Sequence, residues 1–113
     1  MVRFVTITRW TPQTARALDE RWNTVITGKA PKAVLDAFAK VKVIALEISM
    51  GNNLSVLVYE IEEKDLVEAN IVGRYLKDVC TMETYPTIAF EDFLKVREAL
   101  PMEKIPKPEQ WTK

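Results

Sequence analysis

Hydrophobic positions along this chain switch between a period of two, which marks strands, and a period near three and a half, which marks helices. Val2 to Arg9 is a run of β-branched, aromatic and threonine residues without a breaker, and predicts a strand. Trp10-Thr11-Pro12 then predicts a helix start, with Thr11 as N-cap and Pro12 in the first helical position. Ala15, Leu18, Trp22, Val25 and Ile26 recur at helical spacing, and Gly28 suits the residue just past the helix end. Pro31 opens a second, short helix whose apolar contacts are Val34, Leu35 and Phe38.

Val41 to Met50 and Leu54 to Glu62 predict a β-hairpin around Gly51-Asn52-Asn53, residues that tolerate positive φ. A two-residue loop pairs odd positions with even ones. Ile44, Leu46 and Ile48 then share a face with Leu57, Tyr59 and Ile61, while Val43, Ala45, Glu47 and Ser49 share the other with Val56, Val58 and Glu60. Lys64 to about Thr81 predicts a helix with a broad stripe through Leu66, Ala69, Val72, Gly73, Leu76, Val79 and Cys80. Gly73 is expected to permit a close approach to a neighbouring element, and Val67, Ile71 and Tyr75 form a second stripe that asks for a second partner. Glu83 to Ala89 predicts a last strand, at an edge because of Pro86, and Asp92 to Leu100 a closing helix. The order is the split β-α-β pattern of a ferredoxin-like α+β domain, a β-α-β-β-α-β sandwich with a four-stranded antiparallel sheet, over residues 1–100. Residues 101–113 form a proline-containing C-terminal tail, in which Trp111 is a candidate clamp or partner contact.

Two helices cover one sheet face, and the other keeps Val43, Ala45, Val56 and Val58. An apolar open face needs a cover, and the same face of a second copy supplies one by two-fold symmetry. This predicts a homodimer, a dimeric α/β barrel. Sixteen Lys plus Arg balance sixteen Asp plus Glu, so the basic excess of a nucleic-acid binder is absent and no nucleic-acid partner is expected. No apolar run approaches the roughly 20 residues that span a bilayer, and the start shows no signal-peptide core, so no membrane partner is expected. Cys80 is the single cysteine, which fits a reducing, cytoplasmic setting without disulfides or a cysteine-rich zinc site. The chain contains no histidine, which excludes Ser-His-Asp and Cys-His nucleophile systems and histidine metal or haem ligation. No cofactor or metal is expected.

The opening strand with its nearby Trp10, the Gly28 to Pro31 segment, and Val58-Tyr59-Glu60 before Asp65-Leu66-Val67-Glu68 together resemble a family of small domains of unknown function. Glu83-Thr84-Tyr85-Pro86-Thr87-Ile88 followed by Glu91-Asp92-Phe93 is similar to the ending of the same family, and the resemblance runs to about Leu100. Asn52-Asn53 and the proline-rich tail depart from it. The resemblance implies a ferredoxin-like fold within the dimeric α/β barrel superfamily, and no activity. That superfamily includes cofactor-independent monooxygenases, small isomerases, haem-handling proteins and ligand-sensing modules, among which fold alone does not choose.

Glu47 and Glu60 are the candidate catalytic residues, because carboxylates in a partly apolar cavity acquire raised pKa values and can shuttle protons. The competing expectation is that each meets Arg3, Arg9 or a lysine at a strand end. Thr6, Thr8, Trp10 and Tyr59 are the candidate ligand-binding residues, a few polar groups on an apolar wall. Ordinary packing is the alternative for each. Three readings follow: a non-enzymatic ligand-binding or structural dimer; a cofactor-independent monooxygenase or isomerase with its pocket on the sheet face away from the helices; and a protein-interaction module using the second helix stripe and the tail.

Overall fold

The computed structural model describes residues 1–99. Its sheet contains β1 (Val2–Arg9), β2 (Lys42–Ser49), β3 (Leu54–Ile61) and β4 (Thr81–Thr87) in the order β2-β3-β1-β4, every neighbouring pair antiparallel. The helices are α1 (Ala15–Ile26), α2 (Lys32–Ala39), α3 (Leu66–Leu76) and α4 (Phe90–Ala99). This is the ferredoxin-like order expected from the sequence. Pro86 lies in β4, an edge strand, where a missing N–H interrupts no second ladder.

The hairpin turn is longer than a two-residue loop. Met50–Asn52 forms a single 3₁₀ turn and Asn53 takes the left-handed conformation at φ 52°. Ser49 opposite Leu54 keeps the odd-even parity, so Leu46 and Ile48 share a face with Leu57 as expected, and Ser55 joins them opposite Ile48. A bulge between Val43 and Ala45 corrects the rest. Tyr59 pairs with Val43 rather than Ile44, so Val43 turns to the helix side. One extra residue reverses every side chain beyond it.

At the start of α1, Thr11 caps a leading turn: the Thr14 N–H donates to Thr11 Oγ1 at 3.3 Å and the Thr11 N–H to Thr14 Oγ1 at 3.0 Å. Regular helix therefore begins at Ala15. Gly28 ends it at φ 75°, as its position predicts. The expected Lys64–Thr81 helix is shorter, because Val79 and Cys80 turn into the core and Thr81 already pairs with Arg9.

Two apolar clusters hold the helices to one another. Leu18, Leu76, Val79 and Cys80 form the first, with Trp10, Trp22 and Met82 packed against it. Val25, Ala30 and Val34 form the second, with Trp22, Phe38, Ile71 and Tyr75. The second stripe of α3 is thus largely satisfied inside the chain: α2 and its surroundings take Ile71 and Tyr75, and Val67 stays 83% exposed. Charge adds a second tie. Arg21 donates to both carboxylate oxygens of Asp78 at 3.0 and 3.1 Å, donates to the Tyr75 carbonyl, and lies 5.1 Å from the Tyr75 ring centroid. Lys40 links α2 to Asp65 and Glu68.

The Arg21 hydrogen bonds hold the Asp78 carboxyl below the usual carboxylate range. A lowered folded-state pKa contributes stability above the unfolded value, near 3.9, and loses it as pH falls through the folded value. Asp78→Asn is expected to be less stable than the parent at neutral pH, with the gap closing below about pH 4. Thermal melts of both proteins between pH 3 and 7 check this; parallel curves would reject it.

Candidate functional site

Register assigns each strand residue to a face. Phe4, Thr6 and Thr8 of β1 lie opposite Tyr59, Leu57 and Ser55 of β3, and opposite Pro86, Thr84 and Met82 of β4. These residues face the helices. Arg3, Val5, Ile7 and Arg9 face the other way, with Glu60, Val58, Val56 and Ala45.

The helices do not close onto their sheet face. A cleft of about 1730 Å³ separates the two layers, lined from the sheet by Phe4, Leu57 and Tyr59 among others, and from the helices by Leu18, Trp22 and Ala69 among others. Its flank along β2 opens to solvent, where Leu46 and Ile48 are more than half exposed. Gly73 also lines it, and a Cβ built there would meet nothing within 4 Å. The close approach expected of this glycine is absent because α3 stands off the sheet.

Hydroxyls from three adjacent strands gather on the cleft floor. Thr6 Oγ1 donates to Tyr59 Oη at 3.3 Å and lies 2.9 Å from Thr84 Oγ1. A hydroxyl has one proton, so Thr84 donates to Thr6 and Thr6 to Tyr59, which leaves the Tyr59 proton for an acceptor in the cleft. Thr6 and Thr8 are buried, while Tyr59 is half-buried. Trp10 lines the same cleft, its backbone N–H donating to the Asn53 carbonyl at 3.0 Å. The expected ligand-binding residues Thr6, Thr8, Trp10 and Tyr59 are therefore brought together, but on the helix-facing side rather than the open one.

Glu47 and Glu60 are not brought to them. Both lie on the open sheet face, four rungs apart, or about 13 Å along the strands. Glu60 accepts from Arg3 at 3.3 Å and lies 3.7 Å from Lys42, the strand-end ion pairing named as the alternative. Glu47 is exposed and has no ion pair among the described residues. Arg9 pairs with Glu83, which also accepts from the Tyr85 hydroxyl at 2.7 Å. These bonds lower the Glu83 carboxyl and raise the Tyr85 phenol. The enzyme constellation of a carboxylate base beside Thr8, Trp10 and Tyr59 does not form, because strand alternation sends the two sets to opposite faces.

Sequence reasoning missed the helical wall of the cleft. Arg16, Asp19, Asn70, Arg74 and Lys77 line it, and each looks like an ordinary solvent-facing helix residue in sequence. Their spacing of three and four was the available signal, since it places them on one side of each helix.

Among the solved structures, 30S ribosomal protein S6 from Thermotoga maritima is similar at 17% identity and a TM-score of 0.51, covering 87% of this chain and 96% of that one. The chain has a ferredoxin-like fold. A dimeric ferredoxin-like protein from an uncultured marine organism is similar at 11% identity and a TM-score of 0.47, covering 79% of this chain and 94% of that one. No family model matches the chain and no curated protein is similar to it in sequence. Likeness at these identities concerns fold. Among the described residues, no helix is long and apolar enough to cross a membrane, and no group of three or more potential metal ligands occurs.

Cys80 belongs to the core cluster at the edge of the cleft, buried at 9% exposure. Its thiol donates to the Leu76 carbonyl at 3.3 Å, and burial pushes its pKa up. The thiolate is the reactive form. Cys80 is therefore expected to react with an aromatic disulfide reagent at neutral pH far more slowly than in denaturant, at least about 100-fold, since reaction waits on local opening. Equal rates in the two states would show that the thiol is accessible.

Proposed function

We propose that this protein is a non-enzymatic, cytoplasmic binding protein that holds a small, mainly apolar molecule in the cleft between its helices and its sheet, and that two copies pair through the open sheet face as a dimeric α/β barrel. The observation that carries the binding reading is the cleft itself: an apolar wall above a floor of linked hydroxyls, with one hydroxyl proton uncommitted. Ligand sites are commonly apolar concavities with a few polar groups that fix orientation. The aromatic rings of Phe4 and Tyr59, stacked at 5.8 Å, offer a flat apolar surface next to the Tyr59 donor.

Support for pairing comes from the open face. Val5, Ile7, Val56, Val58 and Ala45 form an apolar band there, bounded at one end by Arg3, Glu60 and Lys42 and at the other by Arg9, Glu83 and Glu47. Each end carries both signs, so a two-fold copy can meet it without forcing like charges together.

The binding reading is tested with Nile red, a neutral dye whose emission shifts in apolar surroundings. The parent is expected to bind it saturably, and Ala69→Trp, which intrudes on the cleft from the helical wall, is expected to weaken binding while keeping the melting temperature within a few degrees. Absence of saturable binding by the parent, or binding that ignores the tryptophan, would overturn the reading.

A further inference from the structure

The cleft is polarised along its length, and this narrows the ligand. β1 ends at Arg9 beside Thr81, α1 starts just after that end, and α3 finishes just before β4 begins there. Arg16, Asp19, Arg74 and Lys77 line the cleft from the first turns of α1 and the last turn of α3, so its charged groups gather at this one end. Toward the other end, where Val2 pairs with Ile61, the lining from Trp22, Phe38, Leu66 and Ile61 is apolar.

The charged end is basic. Arg16 is committed to Glu20 at 3.3 Å, one turn away. Arg74 and Lys77, three residues apart on one side of the helix, have no ion pair among the described residues, and Asp19 is the one carboxylate among the described residues of the lining. Two adjacent cations over a low-dielectric wall favour an anion, and the guanidinium fork matches a carboxylate.

Resting on the cleft-binding reading, we infer that the ligand is a free long-chain carboxylate. Its head lies against Arg74 and Lys77, and its chain runs over Leu57 and Phe4 toward Ile61 and Leu66. The hydroxyls of Thr8 and Ser55, on the same rung of the sheet near the charged end, complete the polar half. The open β2 flank gives the chain a route in without unfolding either layer.

The test is displacement of Nile red from the full chain by palmitate, by the alcohol of the same chain length and by the matching alkylammonium ion, all below their aggregation concentrations. Palmitate is expected to displace the dye at a concentration roughly tenfold or more below that of the alcohol. Arg74→Gln combined with Lys77→Gln is expected to erase that advantage while leaving the alcohol and the melting temperature unchanged, because both side chains are exposed. Shortening the carboxylate is expected to weaken it by up to about fourfold per methylene. Equal displacement by palmitate and alcohol, preference for the ammonium ion, or a flat chain-length series would overturn the carboxylate assignment while Nile red binding upheld the cleft. Failure of the parent to bind the dye or any of the three would remove the cleft reading and this inference with it.

Discussion

Trp22→Ala is expected to lower the unfolding free energy by about 3 kcal/mol, the lower end of the range for aromatic truncation in cores. The size follows from where Trp22 sits. It packs against both helical clusters, the one around Leu76 and the one around Val34, and meets the Phe38 ring edge-on at 5.7 Å. Removing it weakens the join between α2 and the rest of the helical layer and leaves a void shared by two clusters. The side chain is only half-buried, which keeps the expected loss from the top of the range. Since small domains are stable by about 5–15 kcal/mol in total, such a loss is a large share. Urea unfolding checks it, with Leu76→Ala, at a fully buried site, as a reference expected to cost about 2–5 kcal/mol. A Trp22 variant within about 0.5 kcal/mol of the parent would show that the two clusters are independently stable.

Val58→Asp is expected to convert the proposed dimer to monomer at concentrations where the parent is paired. Val58 lies between Val5 and Ala45 in the middle of the open face. In the monomer its substitution leaves a carboxylate partly in water, at a modest cost in strand propensity of up to about 1 kcal/mol. In a face-to-face pair the same group would be buried twice, each time without a cation opposite it, at several kcal/mol per ion. Val43→Asp is the control, because the bulge turns Val43 to the helix side, and it is expected to leave the dimer intact. Sedimentation velocity distinguishes the species. A parent that sediments as a monomer at all concentrations, or a Val58 variant that stays dimeric, would reject pairing through this face.

Much of the fold was legible in sequence because local periodicity and punctuation carry it. Gly28 marked a helix end since only a residue free to take positive φ fits there, and Pro86 marked an edge strand since its nitrogen has no proton to give. The hairpin register survived a turn longer than expected, because a four-residue connection and a two-residue one share parity. The bulge was not legible: Lys42 to Ile48 reads as a strand with either residue at the extra position, and the ladder with Tyr59 decides which side chain turns over. Thr6, Thr8, Trp10 and Tyr59 were identifiable as a group from alternation along two strands. Arg74 and Lys77, which line the same cleft from the opposite layer, come from a helix more than a dozen residues away in the chain, and no local pattern connects a helix residue to one sheet face.

The sequence by itself determined the order of elements, the antiparallel four-stranded sheet and the apolar stripes, since each rests on interactions within a few residues or on a fixed period. It also determined the exclusion of histidine-based chemistry, which composition alone decides. The tertiary structure alone decided that Thr6 and Thr84 meet Tyr59 on the cleft floor, that Val43 turns to the helix side, and that the helices stand off the floor they were expected to cover. These depend on which strands pair, on one bulged residue and on how far two layers approach, and those quantities are set by contacts between distant segments.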